Sequence, residues 1–307
     1  MKNGKFNNSW HVKFLIIMII SLISATISFA DSLRLIKEKT FQVKDWQNLY
    51  VKASGADVKV ESWDKPEVYV KIFANKRAED KMKFDIYQDN DVVKVIAEKK
   101  GSFWNFWGGN MSVRIEAFVP KNFNTHLESS GGDLAVSNIT GGFKLFTSGG
   151  DVNTNNLNGK LHVETSGGDI HLNSHKGEMD ISTSGGDIIC KNVRGDLKAK
   201  TSGGDIDIDL TDGKLDASTS GGDIQINYSG QNHGFEASTS GGSVKVKLPS
   251  DFKAKAHMET SGGEIDNNFG NSKSMHVSHS RVDAEFNGGG PTLNLETTGG
   301  DIQVDQK

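Results

Sequence analysis

Cysteine and proline are scarce in this sequence. Among its 307 residues there is one cysteine, Cys190, and there are four prolines. A single cysteine excludes an intramolecular disulfide framework and any zinc or iron–sulfur site built from several cysteines. So few prolines beside 35 glycines argue against collagen and against a disordered chain rich in both residues. The glycines are therefore expected at particular turns of a folded chain.

An excess of basic charge is also absent. The chain has 35 Lys and Arg residues against 39 Asp and Glu residues, a formal net charge of -4. Proteins that bind nucleic acid usually concentrate Lys and Arg on one surface to neutralise phosphates. We therefore expect no nucleic-acid partner.

Long apolar runs are confined to the N-terminus. A basic leader precedes the apolar run Phe14–Ile20, and Ser28 and Ala30 supply small residues just before Asp31. This order is typical of a cleaved signal peptide, and the apolar part is shorter than the ~20 residues of a membrane-spanning helix. We predict a signal peptide over residues 1–30, no transmembrane segment after its removal, and export to the periplasm, the cell surface or the medium. An uncleaved N-terminal anchor is the alternative.

The main feature of the remaining sequence is an internal repeat. The motif SGGD recurs at a spacing of 18 residues, and variants follow at Ser240, Ser261 and Thr298. A fixed period of this length indicates stacked units. The repeated residues, which we predict at structural corners, are Gly131, Gly132, Asp133, Gly149, Gly150, Asp151, Gly167, Gly168, Asp169, Gly185, Gly186, Asp187, Gly203, Gly204, Asp205, Gly221, Gly222 and Asp223.

Between the corners, residues alternate as in a strand with one buried face. Leu161, Val163 and Thr165 alternate with polar residues, and after the corner the apolar set resumes at Ile170 and Leu172. This change of parity requires a bulge or a positive φ, which glycine tolerates. The pattern predicts an all-β fold, a single-chain β-solenoid (β-helix) with 18-residue coils, preceded by less regular β-rich coils.

The solenoid is expected to be regular only in part. Residues 31–125 are predicted to form an irregular β-rich N-terminal part with two long loops, at residues 75–83 and 99–110. Residues 126–307 are predicted to form the regular β-solenoid with degenerate C-terminal coils, and the segment TTGGDIQV closes the chain. One coil buries too few side chains to offset the ordering of its backbone, so coils must stack and the ends need caps.

The corner aspartates form a row along the predicted stack. Neighbouring carboxylates ~4.8 Å apart would repel each other by roughly 1 kcal/mol in water. Calcium between coils would relieve this repulsion, and GGD resembles calcium-binding repeats. Backbone N–H groups bonded to the carboxylates would relieve it as well. Because Ser243 and Glu264 interrupt the row, we predict the second arrangement, with no metal and no cofactor.

A row of threonines precedes the corners. The alternation of side chains along the strand places these threonines inward, where their hydroxyls can form hydrogen bonds along the stack. The outward-facing rows carry charged side chains. A flat ice-binding face is therefore excluded. The row comprises Thr147, Thr165, Thr183, Thr201, Thr219, Thr239 and Thr260.

One segment concentrates aromatic side chains. Phe103, Trp104, Phe106 and Trp107 stand almost consecutively in otherwise polar sequence. Such a cluster can form a binding platform for sugar rings, lipid headgroups or a partner protein. It can equally form a lid over the open apolar end of the first coil. The sequence leaves both roles open.

Residues able to carry catalysis do not form a recognisable set. His171 and His175 flank a turn, and His276 and His279 face opposite ways on a strand, so neither pair predicts a metal site. Cys190 occupies an inward row, which predicts a buried core residue rather than a nucleophile. We predict that the protein is not an enzyme, with a polysaccharide-acting β-helix enzyme as the less favoured alternative.

Two motifs resemble a known family. Turns of the form Asn-[Ile/Leu/Val]-x-Gly recur at residues 138–141, 156–159 and 192–195, and the segment RIEAFVPK enters the repeats. From about Leu49 to its end the chain is similar to the bacterial adhesin-like family of β-strand-repeat proteins, domain of unknown function 4097. The resemblance implies a single-chain β-solenoid that is exported or associated with the envelope, and it carries over no catalytic residues.

The expected function is therefore interaction at the cell envelope. An exported adhesin-like protein would present its repetitive surface to an envelope or surface polysaccharide, or to a protein. A structural scaffold whose coils stack end to end into filaments is the alternative.

Overall fold

The fold is built almost wholly from strands. The computed structural model describes residues 32–100 and 110–307, and its strands confirm the all-β prediction. Within those ranges the single helix, α1 (Lys76–Lys81), has six residues, and no described helix is long and apolar enough to cross a membrane.

The strands are numbered in chain order. The N-terminal half contains β1 (Arg34–Gln42), β2 (Asn48–Ala53), β3 (Asp57–Trp63), β4 (Glu67–Ala74), β5 (Met82–Asp89), β6 (Val92–Lys99), β7 (Val113–Pro120), β8 (Asn124–Ser129), β9 (Leu134–Ser137), β10 (Phe143–Phe146), β11 (Val152–Asn158) and β12 (Leu161–Glu164). The C-terminal half contains β13 (Ile170–Lys176), β14 (Met179–Ser182), β15 (Ile188–Arg194), β16 (Leu197–Lys200), β17 (Ile206–Ser218), β18 (Ile224–Thr239), β19 (Val244–Leu248), β20 (Ala254–Thr260), β21 (Ile265–Asn268), β22 (Ser272–Val277), β23 (Arg281–Phe286), β24 (Thr292–Thr297) and β25 (Ile302–Gln306).

The strands form two rows that stack along one axis. Face 1 contains the coil strands that precede the corners, and face 2 contains those that follow them. β17 and β18 run through the opposite turn of the coil and belong to both faces. In the regular region each strand pairs in parallel with its equivalent in the next coil, so that Phe143 lies beside Leu161 and Val152 beside Ile170. Parallel strands with a constant register give a β-solenoid-like stack.

The core lies between the two faces. Alternate side chains point inward and form apolar rows, one of which contains Leu172, Cys190 and Ile208, each at most 1% exposed. Cys190 is thus a buried core residue, as its parity predicts. Burial raises the pKa of its thiol, which leaves it protonated and unreactive.

The order of the coils in space differs from their order in sequence at both ends. β2 and β3 lie beside β8 and β9, so residues 64–123 are inserted between two adjacent coils. β18 and β19 lie beside β24 and β25, so residues 249–291 are a second insertion. The segment TTGGDIQV ends the chain but does not end the stack, because β20 and β21 pack on its outer side.

The two insertions cover the ends of the stack. The first adds β6 and β7 below β2 and β3, and the antiparallel strands β5 and β4 follow. β1, which precedes this insertion in sequence, pairs with β4 as the outermost strand of face 2. The loop expected at residues 75–83 holds α1, where the side chain of Asn75 accepts a hydrogen bond from the N–H of Ala78 at 2.9 Å. The second insertion adds β20 and β21 above the last coil, and antiparallel β23 and β22 continue face 1.

Of the two conformations expected at the corner glycines, a positive φ does not occur. None of the glycines at the described SGGD corners has a positive φ. A Cβ on Gly186 would come within 2.1 Å of the carbonyl oxygen of Gly168, whereas a Cβ on Gly185 would meet nothing closer than 3.7 Å. The second glycine is therefore required because successive coils approach closely. Positive φ values occur instead at the opposite turn, for example 55° at Asn192 and 115° at Gly195.

Candidate functional site

The corners are closed by hydrogen bonds between coils. The hydroxyl of Thr183 donates to the carbonyl of Gly168 in the preceding coil at 2.9 Å and accepts from the N–H of Gly186 at 3.4 Å. Thr183 is 6% exposed, so it points inward as predicted, but its partner is a backbone carbonyl rather than the next threonine. The same bond from Thr297 ends on Gly242, which shows that the last coil of the chain follows the common pattern.

The corner aspartates form a hydrogen-bonded row on the surface. The carboxylate of Asp187 accepts the N–H of Asp205 at 2.8 Å, and the same bond recurs along the stack. Ser243 and Glu264 continue the row through their own N–H groups. Within residues 32–100 and 110–307, no group of three or more His, Cys, Asp or Glu side chains is placed to hold a metal ion. The carboxylates thus accept hydrogen bonds from backbone N–H groups of the next coil.

The aromatic platform expected from the sequence lies outside the described residues. Phe103, Trp104, Phe106 and Trp107 fall within residues 101–109. Their role as platform or lid stays a prediction.

Three other aromatic rings meet on the surface of face 2. Trp63 at the end of β3, Tyr69 on β4 and Phe118 on β7 have ring centroids 5.5 to 6.2 Å apart, and all three side chains are partly exposed. The indole N–H of Trp63 donates to the carbonyl of Glu67 at 2.8 Å, which fixes the orientation of the ring. Trp63, Tyr69 and Phe118 are called the aromatic cluster below.

Two lysines lie over these rings. The Nζ atom of Lys65 is 4.5 Å from the ring centroid of Trp63, and that of Lys71 is 5.0 Å from the centroid of Tyr69. Exposed cation–π contacts contribute only about 0.5–1 kcal/mol, and lysine side chains are flexible. A ligand that stacks over more of the ring surface can displace them.

A trough of mainly uncharged side chains lies beside the aromatic cluster on face 2, and Lys59 of β3, the strand that also holds Trp63, lines its near end. The trough has a volume of about 450 Å³, and its far end is lined by Ile189 and Lys191. The amide of Asn173 donates to that of Asn155 at 2.8 Å, and a primary amide can make further bonds because it has two donors and two acceptor sites. The outward side chains of β9, β11 and β13 that form the trough are Ala135, Ser137, Asn153, Asn155, His171 and Asn173.

Charged pairs return beyond the trough. The Nζ atom of Lys191 lies 2.7 Å from a carboxylate oxygen of Asp207 and 3.4 Å from one of Asp209. The trough is therefore a local departure from the mixed-charge surface of the stack. Apart from Lys59 and Lys191 at its two ends, the trough offers hydrogen bonds from amide, hydroxyl and imidazole groups.

Sequence reasoning missed the aromatic cluster. Parity alone places Trp63 on the outward side of its strand, and the same holds for Phe118. The rings meet because β7 pairs in parallel with β3 and antiparallel with β4. No local pattern in the sequence specifies that pairing, since all of β4 to β7 lies within the first insertion.

The histidines singled out from the sequence do not form one site. His171 lies in the trough, whereas His175 is 2% exposed, with Nε2 3.0 Å from the carbonyl oxygen of Gly159 and no partner for Nδ1 among the described residues. Burial lowers the pKa of His175, and the bond to Gly159 opposes this in part. His276 lies on β22, and His279 lies in the turn that follows.

Comparison with protein families gives one match over most of the chain. The family model described as Toastrack DUF4097 matches residues 46–305. No curated protein matches the chain.

Several solved structures are similar at low sequence identity. A "putative adhesin" from Bacteroides fragilis is 15% identical, with 90% of this chain and 99% of that chain covered and a TM-score of 0.42. A "putative adhesin" from Parabacteroides distasonis is 14% identical, with 90% and 98% covered and a TM-score of 0.31. A "putative lipid binding protein" from the same species is 13% identical, with 88% and 96% covered and a TM-score of 0.30. These similarities transfer no function to the chain.

Proposed function

The chain belongs to the Toastrack DUF4097 family, and we propose that it is an exported, non-enzymatic binding protein. Its ligand is an uncharged glycan of the cell envelope or of another surface, and face 2 holds it. The aromatic cluster stacks on sugar rings, and the trough exchanges hydrogen bonds with sugar hydroxyls. No cofactor takes part.

The observation that carries this proposal is the junction of the aromatic cluster with the trough. β3, which holds Trp63, also contributes Lys59 to the lining of the trough, and it is the direct neighbour of β9, which contributes Ala135 and Ser137. A sugar ring has an apolar C–H surface that packs on an aromatic face, and its hydroxyls both donate and accept hydrogen bonds, as amides do. The two parts of face 2 therefore match the two kinds of surface on one ligand.

The length and the charge of this part of face 2 indicate which glycans it can bind. From β4 to β13 the surface spans five strand steps, ~24 Å at about 4.8 Å each, which accommodates several sugar units. Lys59 and Lys191 at the two ends of the trough are paired with Glu61 at 3.3 Å and with Asp207 at 2.7 Å. A charged ligand would therefore lose hydration over the trough and compete with these existing pairs. Uncharged chains are favoured for that reason.

The test is binding of the purified protein to soluble uncharged and acidic polysaccharides, measured by calorimetry. The double variant Trp63→Ala/Tyr69→Ala should weaken binding of the uncharged ligand at least tenfold, because stacked aromatic side chains are typical binding hot spots. Asn153→Asp, which keeps the size of the side chain but adds charge to the trough, should also weaken it. Binding of acidic chains alone, or of no chain, would contradict the proposal.

A matched control separates recognition from loss of an aromatic side chain. Tyr87 on β5 is 42% exposed and has Lys94 near its ring, but it lies on face 1. Tyr87→Ala should leave glycan binding unchanged. Thermal unfolding of each variant shows whether any loss of binding comes from unfolding.

A further inference from the structure

The two faces end at different levels at the C-terminal end of the stack. Beyond β20 and β21, face 1 continues with β23 and β22. Among the described strands, face 2 ends at β21. Face 1 therefore overhangs face 2 by two strands.

The overhang presents apolar side chains and two open strand edges. Met275 and Val277 on β22 are 69% and 66% exposed, more than any other large apolar side chain in the described ranges. In those ranges β22 pairs only with β23, and β21 pairs only with β25. An exposed edge strand is a template for pairing with another chain.

We propose that a second copy of this chain docks here, tail to tail, about a two-fold axis parallel to the strands. Such an axis reverses the stacking direction and exchanges face 1 with face 2. The overhanging strands β23 and β22 of one copy then continue face 2 of the other copy, which is two strands shorter than its face 1. Across the interface, β22 of each copy pairs with β21 of the other. The interface is self-complementary and closes at two copies.

Strand direction suits this pairing. β22 and β20 run in the same direction, because both are antiparallel to β23. A coil made of two strands and two turns closes only if β21 runs opposite to β20. The two-fold axis preserves strand directions, so β22 of one copy meets β21 of the other in an antiparallel pair.

Charge also suits this pairing. β22 contributes Lys273 and His276 and has no acidic residue. β21 contains Asp266, follows Glu264 and has no basic residue. Opposite charges on the two edges favour the mixed pair of β22 with β21 over a pair of two identical edges.

At the N-terminal end of the stack, the edge of face 1 is covered by lysines. On β5, the carbonyl of Phe84 accepts a hydrogen bond from Lys37 at 2.6 Å, and the carbonyl of Ile86 accepts one from Lys39 at 3.4 Å. Lysines placed over a strand edge are a common device against edge-to-edge association.

Sedimentation equilibrium of the purified protein over a range of concentrations tests the proposal. We expect a reversible equilibrium between monomer and dimer with nothing larger. Lys273→Glu and Asp266→Lys should each weaken the dimer at least tenfold, and the double variant should regain most of the affinity because the charges are exchanged. A monomer at all concentrations, growth beyond two copies, or a failure of the double variant to regain affinity would overturn the proposed pairing.

Two further variants guard against effects on folding. Val277→Lys should abolish the dimer while thermal unfolding of the monomer stays close to that of the parent, because the side chain is exposed. Leu35→Lys, at an exposed position of β1 at the other end, should leave the dimer unchanged. A dimer that survives Val277→Lys, or that is lost with Leu35→Lys, contradicts the proposed location.

Discussion

In the middle of the molecule each coil packs on the coil that precedes it in sequence, whereas at both ends this order is broken. From β8 to β19 the parallel pairing keeps a nearly constant register. Residues 64–123 and 249–291 instead leave the stack, extend it with the parallel strands β6, β7, β20 and β21, and then add antiparallel strands at its ends. A repeat can add coils without limit, so its ends must be covered by sequence that does not repeat.

The two regions also differ in the contacts that they make. The repeated corners are joined to one another by hydrogen bonds of threonine, glycine and aspartate. The aromatic cluster draws Tyr69 and Phe118 from the first insertion, and the overhang with Met275 belongs to the second. The interruptions of the repeat therefore add surfaces that the regular coils do not form by themselves.

The largest expected change in the free energy of unfolding comes from a corner glycine of the middle region, and a glycine of the second insertion provides the comparison. Gly186→Ala in a middle coil forces a Cβ within 2.1 Å of a carbonyl oxygen, whereas Gly288→Ala in the second insertion, at a φ of 81°, meets nothing within 4 Å. The first should lower the free energy of unfolding by about 3 kcal/mol or more, and the second by about 1–2 kcal/mol. Denaturant unfolding measures both.

The adjacent glycine provides the control for this contrast. Gly185→Ala should cost less than about 1 kcal/mol, because its Cβ would have room. An equal loss from Gly185→Ala and Gly186→Ala would contradict the role assigned to the close approach of coils.

The hydrogen bond from the corner threonine to a glycine carbonyl tests whether the last coil of the chain is held as strongly as the middle coils. Thr183→Val and Thr297→Val both remove a hydroxyl bonded to a glycine carbonyl of the neighbouring coil. Each should cost about 1–3 kcal/mol, because a buried backbone carbonyl loses its partner. A much smaller loss of unfolding free energy for Thr297→Val than for Thr183→Val would show that the last coil contributes less to stability than the middle coils.

One buried threonine should behave in the opposite way. Thr154 lies in an apolar row beside Val136 and Leu172, is 4% exposed, and its hydroxyl has no hydrogen-bond partner among the described residues. Thr154→Val keeps the shape and removes the unsatisfied group, so it should raise the free energy of unfolding by about 1 kcal/mol. A loss of stability would show that this hydroxyl is bonded in solution.

The buried histidine should make the middle of the stack sensitive to acid. Burial lowers the pKa of His175 below its unfolded value of about 6.5. The unfolded chain therefore binds the proton more readily, so the stability that neutral His175 contributes is present above that pH and is lost as the pH falls through its folded pKa. His175→Leu, which matches Leu157 beside it, should flatten the fall in melting temperature below about pH 6.5.

A histidine outside the core controls for this effect. His279 is exposed in the turn after β22. His279→Ala should leave the pH dependence as it is. An unchanged acid slope in His175→Leu would assign the sensitivity to another group.

The smallest effect is expected at the aspartate row. Asp187→Asn keeps an oxygen that can accept the N–H of Asp205, so stability should change by less than about 0.5 kcal/mol. Millimolar calcium should not shift the melting temperature of the parent, because the carboxylates are bonded along the backbone. A rise with calcium that a chelator reverses would contradict this assignment.

The local order of the stack was determined by the sequence itself. The inward positions of Thr183 and Cys190 follow from the alternation of side chains along a strand, which depends only on neighbouring residues. The 18-residue spacing of the SGGD corners likewise indicates stacking. These features are readable because each depends on contacts within one short unit or on its repetition.

Only the tertiary structure decided which coils are neighbours at the ends, why the second corner glycine is required, and which aromatic side chains meet. The pairing of β3 with β7 and β9, and of β18 with β24, joins segments separated by an insertion. The Cβ clash at Gly186 involves the preceding coil rather than its own backbone angles. Such features depend on how distant strands share one core, because the hydrogen-bonding groups of any strand edge are alike and only global packing selects the partner.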